Sequence, residues 1–417
     1  MKVVILADDF PPLVNGGAAV VAGTMSKQLK TLGCEISVIT TCREIEQEGV
    51  KNVDGIEIYS IYTNYHERWR AWLSLYNPQT ILKVKKLLKD LKPDIVHAHN
   101  LHYYLSYYCL KLSQKSGAKV FLSAHDVMLF DYGKLNTKIK ISVNDLSCQI
   151  NYQVSWWQQL KVNRWRFNPF RNLFIKYCLR SVEKIFAVSE MLKEALQING
   201  ISRPIEVVRN SIDLKDWLSK RDLEKKFIQE YNLENKKIIL FVGHPSITKG
   251  IKQLLLAFKE IYSQQSEIIL LIVGAYNSIE KLINDLQLNF IKDQIIVVDW
   301  VSPSSLSVVY HVSQVVVMPS ICFDTFGLVT GEAMAGGRPV VVSCLAGISD
   351  LVKKTGSGLV VNPFNLKQLS QAIEHFLIDK NEADRVGGLG QMAVQEYLSL
   401  NKTTALILAE YKRVLNS

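Results

Sequence analysis

Short runs of β-branched and other apolar residues alternate along this chain with longer amphipathic stretches, and the alternation occurs twice over. A run buried on both faces, followed by a crossover helix, is the mark of a βαβ unit, and repeated units build a parallel sheet. The first series predicts strands at 2–7, 35–41, 56–61, 94–98, 119–123 and 184–188, with helices over 18–32, 79–91 and 101–116. A second series starts afresh, with strands near 237–242, 267–273, 294–298, 314–318, 339–343 and 358–361 and helices near 250–263, 303–311 and 365–378. Between them a polar, charge-rich stretch at about 210–235 reads as a hinge. At 417 residues the chain is too long for one compact core. The economical architecture is α/β: two Rossmann-like, doubly wound domains facing across a cleft, each binding ligand at the carboxyl ends of its strands. The expected domains are 1–205, carrying an insert at 131–182, and 206–385, followed by carboxyl-terminal helices over 386–417 that can pack back on the first domain.

Composition narrows the class. Hydrophobic residues make up 48% and charged residues 21%, an ordinary globular balance. Apolar stretches such as 268–275 fall well short of the ~18–20 residues of a membrane span. Five apolar residues and then Asp8-Asp9 give no secretory signal. Seven scattered cysteines, with no C-x2-C pair, read as reduced thiols in a cytoplasmic chain. The net charge of +10 sits wholly in residues 1–209, where 28 Lys and Arg face 18 Asp and Glu. The insert at 131–182 alone has nine basic residues against two acidic ones, and 156–180 adds Trp156, Trp157, Trp165, Phe167, Phe170, Phe174 and Tyr177. Such a stretch either docks on an anionic membrane surface or packs on the core with its cations solvated around it. No nucleic-acid motif accompanies the charge.

Several strand ends carry candidate chemistry. The first strand runs into Gly16-Gly17 and a helix, a turn that either lets backbone N–H groups approach an anion or simply needs positive φ. His97 and His99 share one side of their strand, but no third ligand follows at a metal-site spacing. His125, at the next strand's carboxyl end, is equally readable as a ligand contact or as a satisfied structural histidine. Gly243-His244 leads to Lys249-Gly250 between a strand and a helix, which is no Walker loop, though the lysine can still reach a phosphate. The segment 319–340 holds Asp324 in a loop and Glu332 eight positions later in a helix. A helical carboxylate at a cleft can accept both hydroxyls of a ribose diol, and the loop carboxylate can reach hydroxyls of an attached group.

These motifs in this order resemble the retaining glycosyltransferases of family 4, which have the GT-B fold, over residues 3 to 380 and most specifically over 237–361. The resemblance rests on Gly16-Gly17, His125-Asp126, Gly243 with Lys249-Gly250, and Phe326-Gly327-Leu328 in register with Glu332. It implies a nucleotide-sugar donor in the second domain, with Glu332 on ribose and with His244 and Lys249 on the diphosphate. Asp324 would contact sugar hydroxyls, the backbone of Thr325, Phe326, Gly327, Leu328 and Val329 would support sugar and diphosphate, and Gly16, Gly17 and His125 would act from the first domain. Asp324 stands where the family usually has glutamate and His244 where it has arginine. No D-x-D triplet occurs, so neither a metal nor another cofactor is expected. The implied activity is transfer of a hexose to a glycan, lipid-linked or other acceptor in cell-surface polysaccharide or glycolipid synthesis, by a cytoplasmic or membrane-peripheral enzyme. A sugar-nucleotide epimerase or a non-catalytic sugar-nucleotide-binding protein would keep the same nucleotide site.

Overall fold

The computed structural model describes residues 1–12, 16–132, 135, 148, 150–164, 168–243, 246–265, 267–274, 279–299 and 303–416. The chain divides into two units, the first comprising Met1–Thr137, Tyr152–Ser211 and Leu400–Ser417, the second Lys138–Asn151 and Ile212–Ser399.

In the first unit the apolar runs form β1 (Lys2–Leu6), β2 (Glu35–Cys42), β3 (Gly49–Val53), β4 (Ile56–Tyr62), β5 (Ile95–His99), β6 (Lys119–Ala124), β7 (Lys184–Ala187) and β8 (Ile205–Val207). They order as β3-β4-β2-β1-β5-β6-β7-β8, parallel except for the β3–β4 hairpin. The order reverses at β1, which pairs with β2 on one side (Val3 opposite Ile36) and β5 on the other (Val3 opposite Ile95). β1 is buried from Val3 onward, as a central strand covered by helices on both faces must be. On one face, Ile5, Phe121 and Phe186 pack with Ile407, Leu408, Tyr411 and Val414 of the helix Leu400–Leu415, so the end of the chain completes the first unit's core. The helix Lys380–Ala393 stays with the second unit.

The second unit holds β9 (Lys237–Val242), β10 (Ile268–Val273), β11 (Ile295–Val298), β12 (Val315–Met318), β13 (Val340–Ser343) and β14 (Gly358–Val361), all parallel, in the order β11-β10-β9-β12-β13-β14. The strand order reverses between β9 and β12, the switch point of this sheet. Ile239, Phe241, Leu254, Phe258, Leu270 and Ile373 are among its core.

Four expectations change. The stretch expected to be a hinge contains a helix, Arg221–Glu230, packed on the helix Pro303–Val312 of the second unit. The helix expected from 101 begins only at Tyr108, because the buried Asp8 carboxylate accepts the N–H groups of Tyr103, Tyr104 and Leu105, each at 2.8 Å, and holds them in a loop. Burial pushes the Asp8 carboxyl up to about 6 despite those bonds. The cysteines are not all thiols: Cys148 and Cys344 form a disulfide with Cα atoms 6.0 Å apart, a pairing of residues 196 apart in sequence that no spacing pattern betrays. The basic aromatic stretch is divided in role. Trp156, Trp157 and Phe170 are exposed, whereas Arg171 is fully buried and donates to the Met128 carbonyl, so it is no surface cation. Trp165 and Phe167 lie outside the described residues. Among the described residues no helix is long and apolar enough to cross a membrane.

One buried polar contact ties the last helix to the sheet: the Tyr411 hydroxyl hydrogen-bonds His97 Nδ1, while His97 Nε2 pairs with Ser123 Oγ at 2.8 Å. Tyr411→Phe strips His97 of one partner inside the core, and an unmade buried bond costs ~1–3 kcal/mol. The thermal midpoint should fall accordingly, and an unchanged midpoint would show that the hydroxyl contributes nothing to the packing.

Candidate functional site

The reversal between β9 and β12 brings two loops together at the carboxyl edge of the second sheet. β9 ends at Val242 and its chain continues through Gly243 to Lys249, Gly250 and the helix Ile251–Tyr262. β12 ends at Met318, followed by a loop to Gly327 and the helix Leu328–Ala335. The approach is close enough that a Cβ on Gly250, which has φ +80°, would lie 1.8 Å from the Pro319 carbonyl oxygen. The Ile321 N–H donates to the Thr248 carbonyl at 3.0 Å. Across this contact Lys249 Nζ meets Asp324 Oδ2 at 2.5 Å, with the lysine side chain 42% exposed and the aspartate 14%. Burial pulls the Lys249 pKa down, but the charge and hydrogen bond of Asp324 outweigh it and leave it raised.

The Asp324 loop is braced from behind. The Asp324 N–H donates to Leu345 at 3.1 Å, Gly347 N–H to the Asp324 carbonyl at 2.7 Å, and Ile348 N–H to Phe326 at 2.8 Å. Gly327 caps the next helix at φ +97°, and a Cβ there would stand 2.6 Å from Met318 Cε. Neither Gly250 nor Gly327 carries a capping side chain, so two helices present bare N-terminal turns, the arrangement that favours an anion. Thr325 and Phe326 precede this turn, and Leu328 and Val329 open the helix.

Glu332 is one turn further on, and its Oε2 accepts from the Tyr310 hydroxyl at 2.8 Å. Tyr310 belongs to the helix Pro303–Val312 and stands edge-on to the Trp217 ring, centroids 5.3 Å apart. Burial pushes the Glu332 carboxyl up to about 6, and the tyrosine bond restrains the rise. Sequence reasoning missed Tyr310, since nothing in the chain marks a phenol 22 positions upstream as the partner of this glutamate.

The first unit's candidates are arranged separately. Gly16, at φ +95°, caps the helix Gly17–Thr31 without a side-chain cap, so Gly17 opens another bare helix start. His125 is buried, with its Nε2 2.9 Å from His99 Nδ1 and the rings stacked at 5.1 Å. Burial lowers the His125 pKa to about 4 against the opposing charge of Asp126, and lowers His99 well below the ordinary histidine value. Both rings are therefore neutral near pH 7 and act as hydrogen-bonding groups, one donating to the other. His244 lies outside the described residues. Among the described residues no group of three or more His, Cys, Asp or Glu is placed to hold a metal ion.

The Tyr310–Glu332 pair makes a ligand-free test possible. Carbon-13 NMR of the Glu332 carboxyl should titrate near pH 6, and Tyr310→Phe should move the midpoint upward, because the carboxylate loses a donor while burial persists. A midpoint in the ordinary glutamate range, or no change in the variant, would contradict this geometry.

Comparison with known proteins agrees with the two-sheet arrangement. The family profile described as Glycosyltransferase Family 4 matches residues 15–216, and that described as Glycosyl transferases group 1 matches residues 223–390. An uncharacterized glycosyltransferase of Methanocaldococcus jannaschii is 22% identical over 386 residues, covering 91% of this chain and 90% of its own length. Among solved structures, sucrose-phosphate synthase of Thermosynechococcus elongatus superposes with a TM-score of 0.77 over 100% of both chains at 19% identity. HepE of Anabaena, in complex with UDP, superposes with a TM-score of 0.71 over 99% of this chain and 100% of its own, at 16% identity. Each domain has its own matching profile and the folds coincide over the full length: the chain belongs to glycosyltransferase family 4 and has the GT-B fold.

Proposed function

We propose that the protein is a retaining glycosyltransferase that moves a hexose from a nucleotide-sugar donor to a glycan or lipid-linked acceptor. The observation that carries the reading is the pairing of Lys249 with Asp324 between two bare helix starts, one turn from a Glu332 held by Tyr310. The second unit then takes the donor. An ionised Glu332 accepts both ribose hydroxyls, and the diphosphate lies against Lys249 and the N-terminal turns after Gly250 and Gly327. As the diphosphate arrives, Lys249 turns to it and releases Asp324 to accept hydroxyls of the sugar. Transfer builds negative charge on the leaving diphosphate, and fixed donors in place before the reaction stabilise it without reorganising. HepE holds UDP, which supports a uridine nucleotide as the first donor to try. His244 and the Thr325–Val329 backbone are assigned to the diphosphate and sugar, and Gly16, Gly17 and neutral His125 are assigned to sugar binding. No metal is assigned to the chemical step, since the cationic role falls to Lys249 and the backbone N–H groups.

We place the enzyme in cell-surface polysaccharide or glycolipid synthesis, at the cytoplasmic face of an anionic membrane. The concentration of the whole net charge in residues 1–209 and the exposed Trp156 and Trp157 support this location.

The decisive assay is acceptor-dependent release of nucleoside diphosphate. Release should require acceptor and persist in EDTA. Conversion of donor to an epimeric sugar without acceptor would contradict transfer, and loss on chelation with rescue by magnesium would contradict the metal-free step. Glu332→Ala should weaken donor binding by about 3–6 kcal/mol, two hydrogen bonds to a charged group at ~1.5–3 kcal/mol each. Wild-type affinity in a folded Glu332→Ala protein would remove the glutamate from the site. Because burial raises the Glu332 pKa to about 6, donor affinity should also decline as pH falls through that value and the acceptor carboxylate is lost.

A further inference from the structure

We propose that a groove on the first unit, between the helices Pro78–Leu91 and Tyr108–Lys115, receives an acyl chain of an anionic phospholipid and docks the unit on a bilayer. The inference deepens the membrane location proposed above and is independent of the donor site.

The groove follows from helical periodicity. On the first helix and its cap, Ile81, Leu82, Lys85, Leu88, Lys89 and Lys92 fall on one face at spacings of one, three or four residues, and all six line the groove. The facing helix contributes Tyr108, Leu112 and Lys115, and Tyr76 joins them with its ring 5.1 Å from that of Tyr108. The open groove has a volume of about 700 Å³, within the ~300–1,000 Å³ of sites that hold small organic ligands. Its floor is apolar, and Leu82 lies 74% exposed over it, a leucine that the core does not use. Four exposed lysines rim the groove with no carboxylate among the lining residues. Among the described residues none of the four is ion-paired, whereas the neighbouring Lys83 is paired with Glu48. An apolar trough edged by unpaired cations is complementary to one kind of ligand, an amphiphile with a negative head.

The surface beyond the groove continues the pattern. The helix Arg171–Leu179 packs on the helix Tyr108–Lys115 and exposes Leu173 and Tyr177, with Lys111 Nζ 4.6 Å from the centre of the Tyr177 ring. Tyrosine and tryptophan favour the membrane–water boundary, and lysine stems lie along apolar surface while the ammonium groups reach the headgroups. A protein partner is the weaker match, because lysine is depleted from the centres of protein interfaces and here four lysines line the groove itself. A nucleic acid would leave the apolar floor unused.

Vesicle flotation decides the matter, using the full chain on phosphatidylcholine vesicles with and without phosphatidylglycerol. The wild type should float only with phosphatidylglycerol and be released by salt. Lys85→Gln/Lys89→Gln/Lys115→Gln should bind about 100-fold more weakly, at roughly fivefold per lysine. Donor-induced thermal stabilisation of that variant should match the wild type, which separates failure of this surface from failure of the donor site. An environment-sensitive dye on Leu82→Cys should shift to the blue on phosphatidylglycerol vesicles. The proposal is overturned if the triple variant binds like the wild type, if neutral vesicles bind equally, or if no vesicle binds. It is equally overturned if the dye stays in water while the protein is bound, or if the lysines serve only to capture RNA or an acidic protein.

Discussion

A parallel strand can be followed by its neighbour only through a crossover, so in each unit all the strands that carry the site end at the same edge of the sheet. That constraint decides where chemistry can be. In the second unit the order reverses between β9 and β12, so the loop after one meets the loop after the other. The 1.8 Å that a Cβ on Gly250 would leave to the Pro319 carbonyl measures how tightly the two loops are pressed. The Lys249–Asp324 pair, the bare starts of two helices and the position of Glu332 follow from this one approach.

The same constraint operates in the first unit with a different residue in charge. At the end of β1, Asp8 gathers three N–H groups from the loop after β5 and keeps that loop from joining the following helix. Three stacked histidines, His97 in the middle of β5, His99 at its end and His125 just past β6, are then held in their neutral forms by burial. A neutral ring can donate at one nitrogen and accept at the other, which suits contact with uncharged hydroxyls better than with a phosphate.

Much of this was legible before any coordinates. Strands buried on both faces are unbroken apolar runs, so β1, β2, β9 and β10 stand in the structure within a residue or so of their predicted ends. The spacing of Gly327 and Glu332 was legible too, and the structure keeps it as a helix start with a carboxylate one turn later. β3 escaped because it is an exposed edge strand whose only cue is the Asp54-Gly55 turn, and β8 because three residues carry no period. What was not legible is long-range: Tyr310 under Glu332, Cys148 joined to Cys344, and Arg171 withdrawn into the core. Each depends on residues brought together by the fold, and composition pointed the wrong way for Arg171. The groove on the first unit was equally hidden, since half of it comes from each of two helices.

The most direct test is a crystal structure of the protein with a nucleoside diphosphate bound. The account predicts ribose hydroxyls on the Glu332 carboxylate, the diphosphate at Lys249 and the helix starts after Gly250 and Gly327, and Asp324 released from its lysine. A nucleotide bound away from the carboxyl ends of β9 and β12, or one bound there with Lys249 still closed on Asp324, would contradict it.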